Sequence, residues 1–139
     1  MPRGLWLLGA LVTAGACGCT GPASAPAGTG AREAALAFFR GVVRRDWGAA
    51  HAALDAGSRA RVSPERFATL AGAYRAGLRF EPSGVQLSSC AEQDERAVAH
   101  VVLTGRASAH QRFKDTVILR RGPDGWGVVL PSHFGRSKS

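Results

Sequence analysis

The sequence predicts an α+β domain, with helices first and an antiparallel sheet after them. Three observations carry this. From Ala31 to Gly77 the apolar residues recur at intervals of three and four, the period of a helix with one buried face. Beyond Gly77 they alternate with polar residues, the period of a strand. Gly122-Pro-Asp-Gly125 is a turn signal of the kind that joins neighbouring antiparallel strands. Helices in one run and strands in the next describe α+β rather than a βαβ sheet.

The first helix is predicted over Ala31–Arg45, where Ala35, Phe38, Phe39, Val42 and Val43 form the apolar stripe and Glu33, Arg40 and Arg44 the opposite side. Asp46 offers a cap for a short second helix marked by Trp47, Ala50 and Leu54, which Gly57-Ser58 is expected to interrupt. The third helix has the fullest set of signals. Ser63 is a capping residue, Pro64 suits the first helical position and Glu65 complements the positive end of the dipole. Phe67, Leu70, Ala71 and Tyr74 follow at helical spacing, and Gly77 is expected to close the helix in a left-handed conformation. Strands are then predicted around Val85, Leu87 and Ser89, over Arg96–Thr104, over Thr116–Arg121 and over Trp126–Leu130. The stretch from His133 is polar and is expected to fray.

Before the domain lies a segment of another kind. Arg3 is a short positive start, residues 5–16 are an apolar run ending in small side chains, and Cys17 follows. That order is the anatomy of a secretory signal, and the run is shorter than the roughly 20 residues a membrane span needs. Ala14-Gly15-Ala16-Cys17 resembles a bacterial lipobox, with Ala14 where leucine is usual; Cys19 is a second candidate for the lipid, and Cys17 is preferred because a thiol is an odd residue inside a cleavage site. Residues 20–30 carry no charge and no large apolar group, so they cannot offset their ordering entropy and should act as a tether. The expected organisation is a signal over 1–16, lipidated cysteine and tether over 17–30, a domain over 31–134 and a frayed tail over 135–139.

About 110 residues hold one core and leave no room for two. Of 18 basic residues the cleaved signal removes Arg3 alone, so 17 stand against 10 acidic ones, a net of +7. They are scattered, with no run longer than two, which argues against nucleic acid and leaves weak attraction to an anionic envelope surface. Cys90 is read as a small apolar strand residue, and a Cys19–Cys90 disulfide is not expected because Cys19 sits on the tether.

The segments ALAFFRGVVRRDWGAAHAAL at 35–54, SPERFATL at 63–70 and VILRRGPDGWGVVL at 117–130 resemble the NTF2-like (cystatin-like cone) superfamily. The resemblance implies helices packed on a curved four-stranded antiparallel sheet enclosing a conical pocket, which some members use for isomerisation, cyclisation or dehydration. It implies pocket candidates Phe39, Trp47, Tyr74, His100 and Trp126. A proton carrier in such a cone is an Asp or His, and the candidates are Asp46, His51, Asp55, His100 and His110. His51 and Asp55 are four apart on one helix and could pair, and His100 shares its strand side with Val98 and Val102 and is expected to face inward. The sequence has no CxxC, HExxH, Walker-type or GxSxG motif and its four histidines are isolated, so no catalytic residue, metal site or cofactor is assigned. The expected protein is therefore an exported, lipid-anchored, non-catalytic binding or accessory module at the cell envelope. Its expected partners are the membrane through the lipid, and an envelope protein or small apolar ligand. The alternatives are a small-molecule carrier or enzyme using the cone with His100 as its polar group, and a module that docks or dimerises through the sheet face.

Overall fold

A computed structural model describes residues 28–136. The predicted signal peptide, Cys17, Cys19 and most of the tether lie outside the described residues, as do residues 137–139. Four helices precede the sheet: α1 (Ala31–Arg44), α2 (Trp47–Ala52), α3 (Ala56–Arg61) and α4 (Pro64–Gly77). Four strands follow in sheet order β1-β2-β3-β4: β1 (Pro82–Gln93), β2 (Arg96–Gly105), β3 (Arg112–Gly122) and β4 (Gly125–Val129), each antiparallel to the next. The helices cover one face of this meander, and the core lies between them: Ala35, Phe38, Phe39 and Val42 of α1 and Phe67 and Ala71 of α4 against Ala99, Val101, Leu103, Val117, Leu119 and Val128 of the strands.

The helix starts follow the predicted chemistry. Asp46 accepts from the Ala49 N–H at 3.1 Å and Ser63 from the Arg66 N–H at 3.2 Å, each satisfying a donor that the first turn leaves without a partner. Two expectations fail. Gly57-Ser58 does not break a helix but sits inside α3, whose cap is Asp55 accepting from the Ser58 N–H at 3.0 Å. The break falls at Ala53–Asp55, because this stretch pairs with the sheet: Asp55 N–H donates to Val128 O and Val128 N–H to Ala53 O, both at 2.9 Å. Gly127 permits the approach, since a Cβ there would stand 2.4 Å from the Asp55 Cα. Gly77, in turn, is the last residue of α4, and the left-handed position after it is taken by Arg79 at φ 60°.

The sheet is longer than the alternation alone indicated. β1 begins at Pro82, and a bulge between Leu87 and Ser89 re-aims the strand, so that Val85, Leu87 and Cys90 pack against the core while Ser89 is exposed. Ser58, 1 % exposed, ties helix to sheet: its hydroxyl accepts from the Leu130 N–H at 3.0 Å. The stretch expected to fray is built into the core as far as Phe134, which is buried.

Candidate functional site

A half-open groove of about 880 Å³ opens among the described residues. Its walls are the second half of α4, the first half of β3 and the 131–136 segment. Tyr74, Leu78, Phe113, Val117 and Phe134 make it mainly apolar, with Asp115 as its central polar group and Lys114, His133 and Arg136 toward solvent.

Tyr74 comes from the buried face of α4 and Asp115 from the inner face of β3, where it shares parity with Val117 and Leu119. The Tyr74 hydroxyl donates to Asp115 Oδ2 at 2.7 Å, and Asp115 Oδ1 accepts from the Thr116 N–H at 2.8 Å. Burial, followed by the negative charge and the hydrogen bond of Asp115, pushes the Tyr74 phenol far above its ordinary range. The phenol therefore stays neutral and acts as a donor. A carboxylate has about four acceptor sites, so Asp115 keeps capacity for a donor from a ligand. The Phe113 ring stands edge-on to Tyr74 at 6.2 Å and forms the outer lip of the groove, 38 % exposed.

This pair carries a pH signature. The folded-state phenol titrates above its unfolded value of about 10, so its contribution to stability is intact below pH 10 and is lost as pH rises beyond it. Stability measured by denaturant titration should fall between pH 10 and 11.5, and the Tyr74→Phe chain should lose measurably less over that interval.

Of the predicted pocket residues, Phe39 and Tyr74 line the groove. Trp47 is half-buried on the other side of the helices, in a shallow depression with Arg75, Arg79 and Phe80. Trp126 lies away from the groove, its Nε1–H donating to Thr29 Oγ1 at 2.6 Å; Thr29 in turn donates to Glu92 Oε2 at 2.8 Å, so the end of the predicted tether is fixed on the domain. His100 does not face inward. It is exposed on the outer face of the sheet with Nδ1 2.9 Å from Thr116 Oγ1, and Val98 is exposed beside it. The inner positions of β2 are Ala97, Ala99, Val101 and Leu103, so Val98 and His100 fall on the outer face, whereas Val102, of the same parity, is buried.

The other candidates are accounted for locally. Asp46 and Asp55 are helix caps; His51 and Asp55 do not pair, because His51 Nε2 lies 2.8 Å from Val62 O and its ring sits 5.6 Å from Phe67. His110 is exposed in the 106–111 loop. Burial pushes the Cys90 thiol up, with the nearby Glu92 adding to it, which is the environment of a half-buried strand residue rather than of a reactive thiolate. No group of three potential metal ligands occurs among the described residues.

Sequence reasoning missed Asp115 and Phe134. For Asp115 the signal is the two-residue parity it shares with Val117 and Leu119, which a strand starting at Thr116 leaves out. For Phe134 it is a large aromatic in an otherwise polar stretch.

No protein-family description matches this chain, and no curated protein does. A solved structure does: a Campylobacter jejuni protein provisionally named an NTF2-like transpeptidase. It superposes with a TM-score of 0.57 at 14 % sequence identity, over 72 % of this chain and 97 % of that one. Identity this low is a statement about fold, and it agrees with the helices-then-meander architecture described above. The domain has the NTF2-like fold.

Proposed function

We propose that this chain is an exported, lipid-anchored binding module, whose cone takes up a small apolar ligand bearing a hydrogen-bond donor. The observation that carries the binding reading is the groove beside Tyr74 and Asp115: apolar walls to bury a ligand body, and one carboxylate to orient its polar end. Burial of ligand surface supplies the affinity at about 25 cal/mol per Å², and the donor to Asp115 supplies direction.

A medium-chain alcohol such as octanol has the required chemistry. Octanol should bind the full chain in NMR titration, and Asp115→Ala should weaken it about tenfold, the loss of one hydrogen bond to a charged acceptor. Equal affinity in both chains would remove Asp115 from the reading.

The anchoring rests on the apolar run, the lipobox-like AGAC and the uncharged stretch behind it. Two or more acyl chains hold a protein stably on a bilayer, so the native chain should sediment with membranes. Cys17→Ser should move it to the soluble fraction; membrane association that survives the substitution contradicts lipidation at Cys17.

A further inference from the structure

Phe67 and Tyr74 stand seven residues apart on α4, so their rings leave one face of the helix about 10.5 Å apart at 1.5 Å per residue. The 131–136 segment inserts one ring into that gap. Phe134 is parallel to Phe67 (3°, centroids 6.0 Å apart) and nearly parallel to Tyr74 (19°, 4.8 Å). The two separations together span the distance between the helix rings, so Phe134 is sandwiched, with Phe38 tilted against it at 5.8 Å. A slot with flat, parallel walls suits a planar ring and fits an aliphatic group poorly.

Side-chain packing alone holds the ring there. Among the described residues, the hydrogen bonds of the 131–136 segment are internal: Phe134 N–H to Pro131 O at 3.1 Å and Arg136 N–H to His133 O at 3.0 Å. The ties to the rest of the fold end one residue earlier, where Leu130 N–H donates to Ser58. Gly135 then passes against α4 between the two rings. It is at φ +69°, and a Cβ on it would stand 2.2 Å from Leu70 O, so this seat exists only for glycine. Phe134 also forms part of the groove wall, so the slot and the groove are continuous.

We propose that the slot between Phe67 and Tyr74 is a binding site for one planar aromatic ring of a ligand, and that Phe134 is a built-in occupant which the ligand displaces as the 131–136 segment swings out from Leu130. This rests on the reading of the groove as a ligand site and adds to it, at the inner end, a seat for an aromatic ring. A self-occupied site binds with an affinity reduced by the fraction of time it stands open. Removing the occupant therefore raises affinity without adding a contact.

The test is a titration of the full chain with indole, followed by NMR of the aromatic side chains. Phe134→Ala should bind indole at least tenfold more tightly than the native chain, with the Phe67 and Tyr74 signals shifting together. Gly135→Ala, which keeps the ring but spoils its seat, should also raise affinity. Phe134→Leu, which largely refills the volume, provides a folded comparison should the alanine variant not fold, and it too should bind more tightly than native. Equal indole affinity in the native chain and in Gly135→Ala and Phe134→Leu would overturn the proposal. So would indole shifts at Tyr74 and Phe113 that leave Phe67 unmoved, an outcome that keeps the groove as a ligand site while removing the slot.

Discussion

Replacing Phe38 by alanine is expected to cost about 3–5 kcal/mol, the range for removing a buried aromatic ring when its surroundings cannot collapse. Phe38 is 1 % exposed and meets three other rings: Phe39 edge-on at 5.1 Å, Phe67 at 6.1 Å and Phe134 at 5.8 Å. Those rings come from α1, α4 and the 131–136 segment, so the void would open where three parts of the chain converge. Phe67 and Phe134 are also held by His51 and Tyr74, so neither is free to move in and close it. For a domain of this size the loss corresponds to a fall in melting temperature on the order of 15 °C or more. Circular dichroism of Phe38→Ala beside the native chain reads it directly. A drop of only a few degrees would mean that the aromatic cluster repacks and that Phe38 is not its hub.

Replacing Arg75 by methionine is expected to cost about 2–3 kcal/mol, although the new side chain is apolar and of similar length. The Arg75 guanidinium, on a residue 7 % exposed, donates to Val42 O at 3.0 Å and Val43 O at 2.6 Å, and also to Glu81. Val42 and Val43 belong to the last turn of α1, whose carbonyls have no partner within the helix and carry its negative end. Methionine covers the site but donates nothing, so Val43 O would lose its bond and Val42 O would keep only the longer one from the Arg45 N–H at 3.3 Å. Arg75→Lys should recover part of the loss, since one ammonium replaces the charge but not the two-pronged geometry. Chemical denaturation of the two variants separates the contributions. Equal stability of native and methionine chains would show that water satisfies the helix end.

How far the sequence could be read depended on which signal each feature uses. Helix starts were legible because capping is local: Asp46 and Ser63 each act on a backbone N–H three residues away. The class and strand order followed from a change of period and a short turn, again local properties. The failures arose where a long-range contact decides. Ala53–Asp55 leaves the helix to pair with Val128, more than seventy residues on, and no local pattern announces that. The orientation of β2 was misread because its inner positions at Ala97 and Ala99 are small and its outer ones include Val98, so apolarity pointed the wrong way. The candidate site suffered most. Tyr74 and Phe39 were found from aromatic content, but Asp115 and Phe134 become partners of Tyr74 only once α4, β3 and the 131–136 segment meet.

The outer sheet face offers a competing surface. Val98 and Ile118 stand exposed there, at 37 % and 40 %, as a cross-strand pair beside the paired Arg96 and Arg120.

The proposed ligand sits in the groove between α4 and β3. Chemical-shift mapping of octanol on the full chain tests this placement. Saturable shifts are expected at Tyr74, Phe113 and Val117, with Val98 and Ile118 unmoved. Shifts confined to Val98 and Ile118, or none at any of the five, would contradict it.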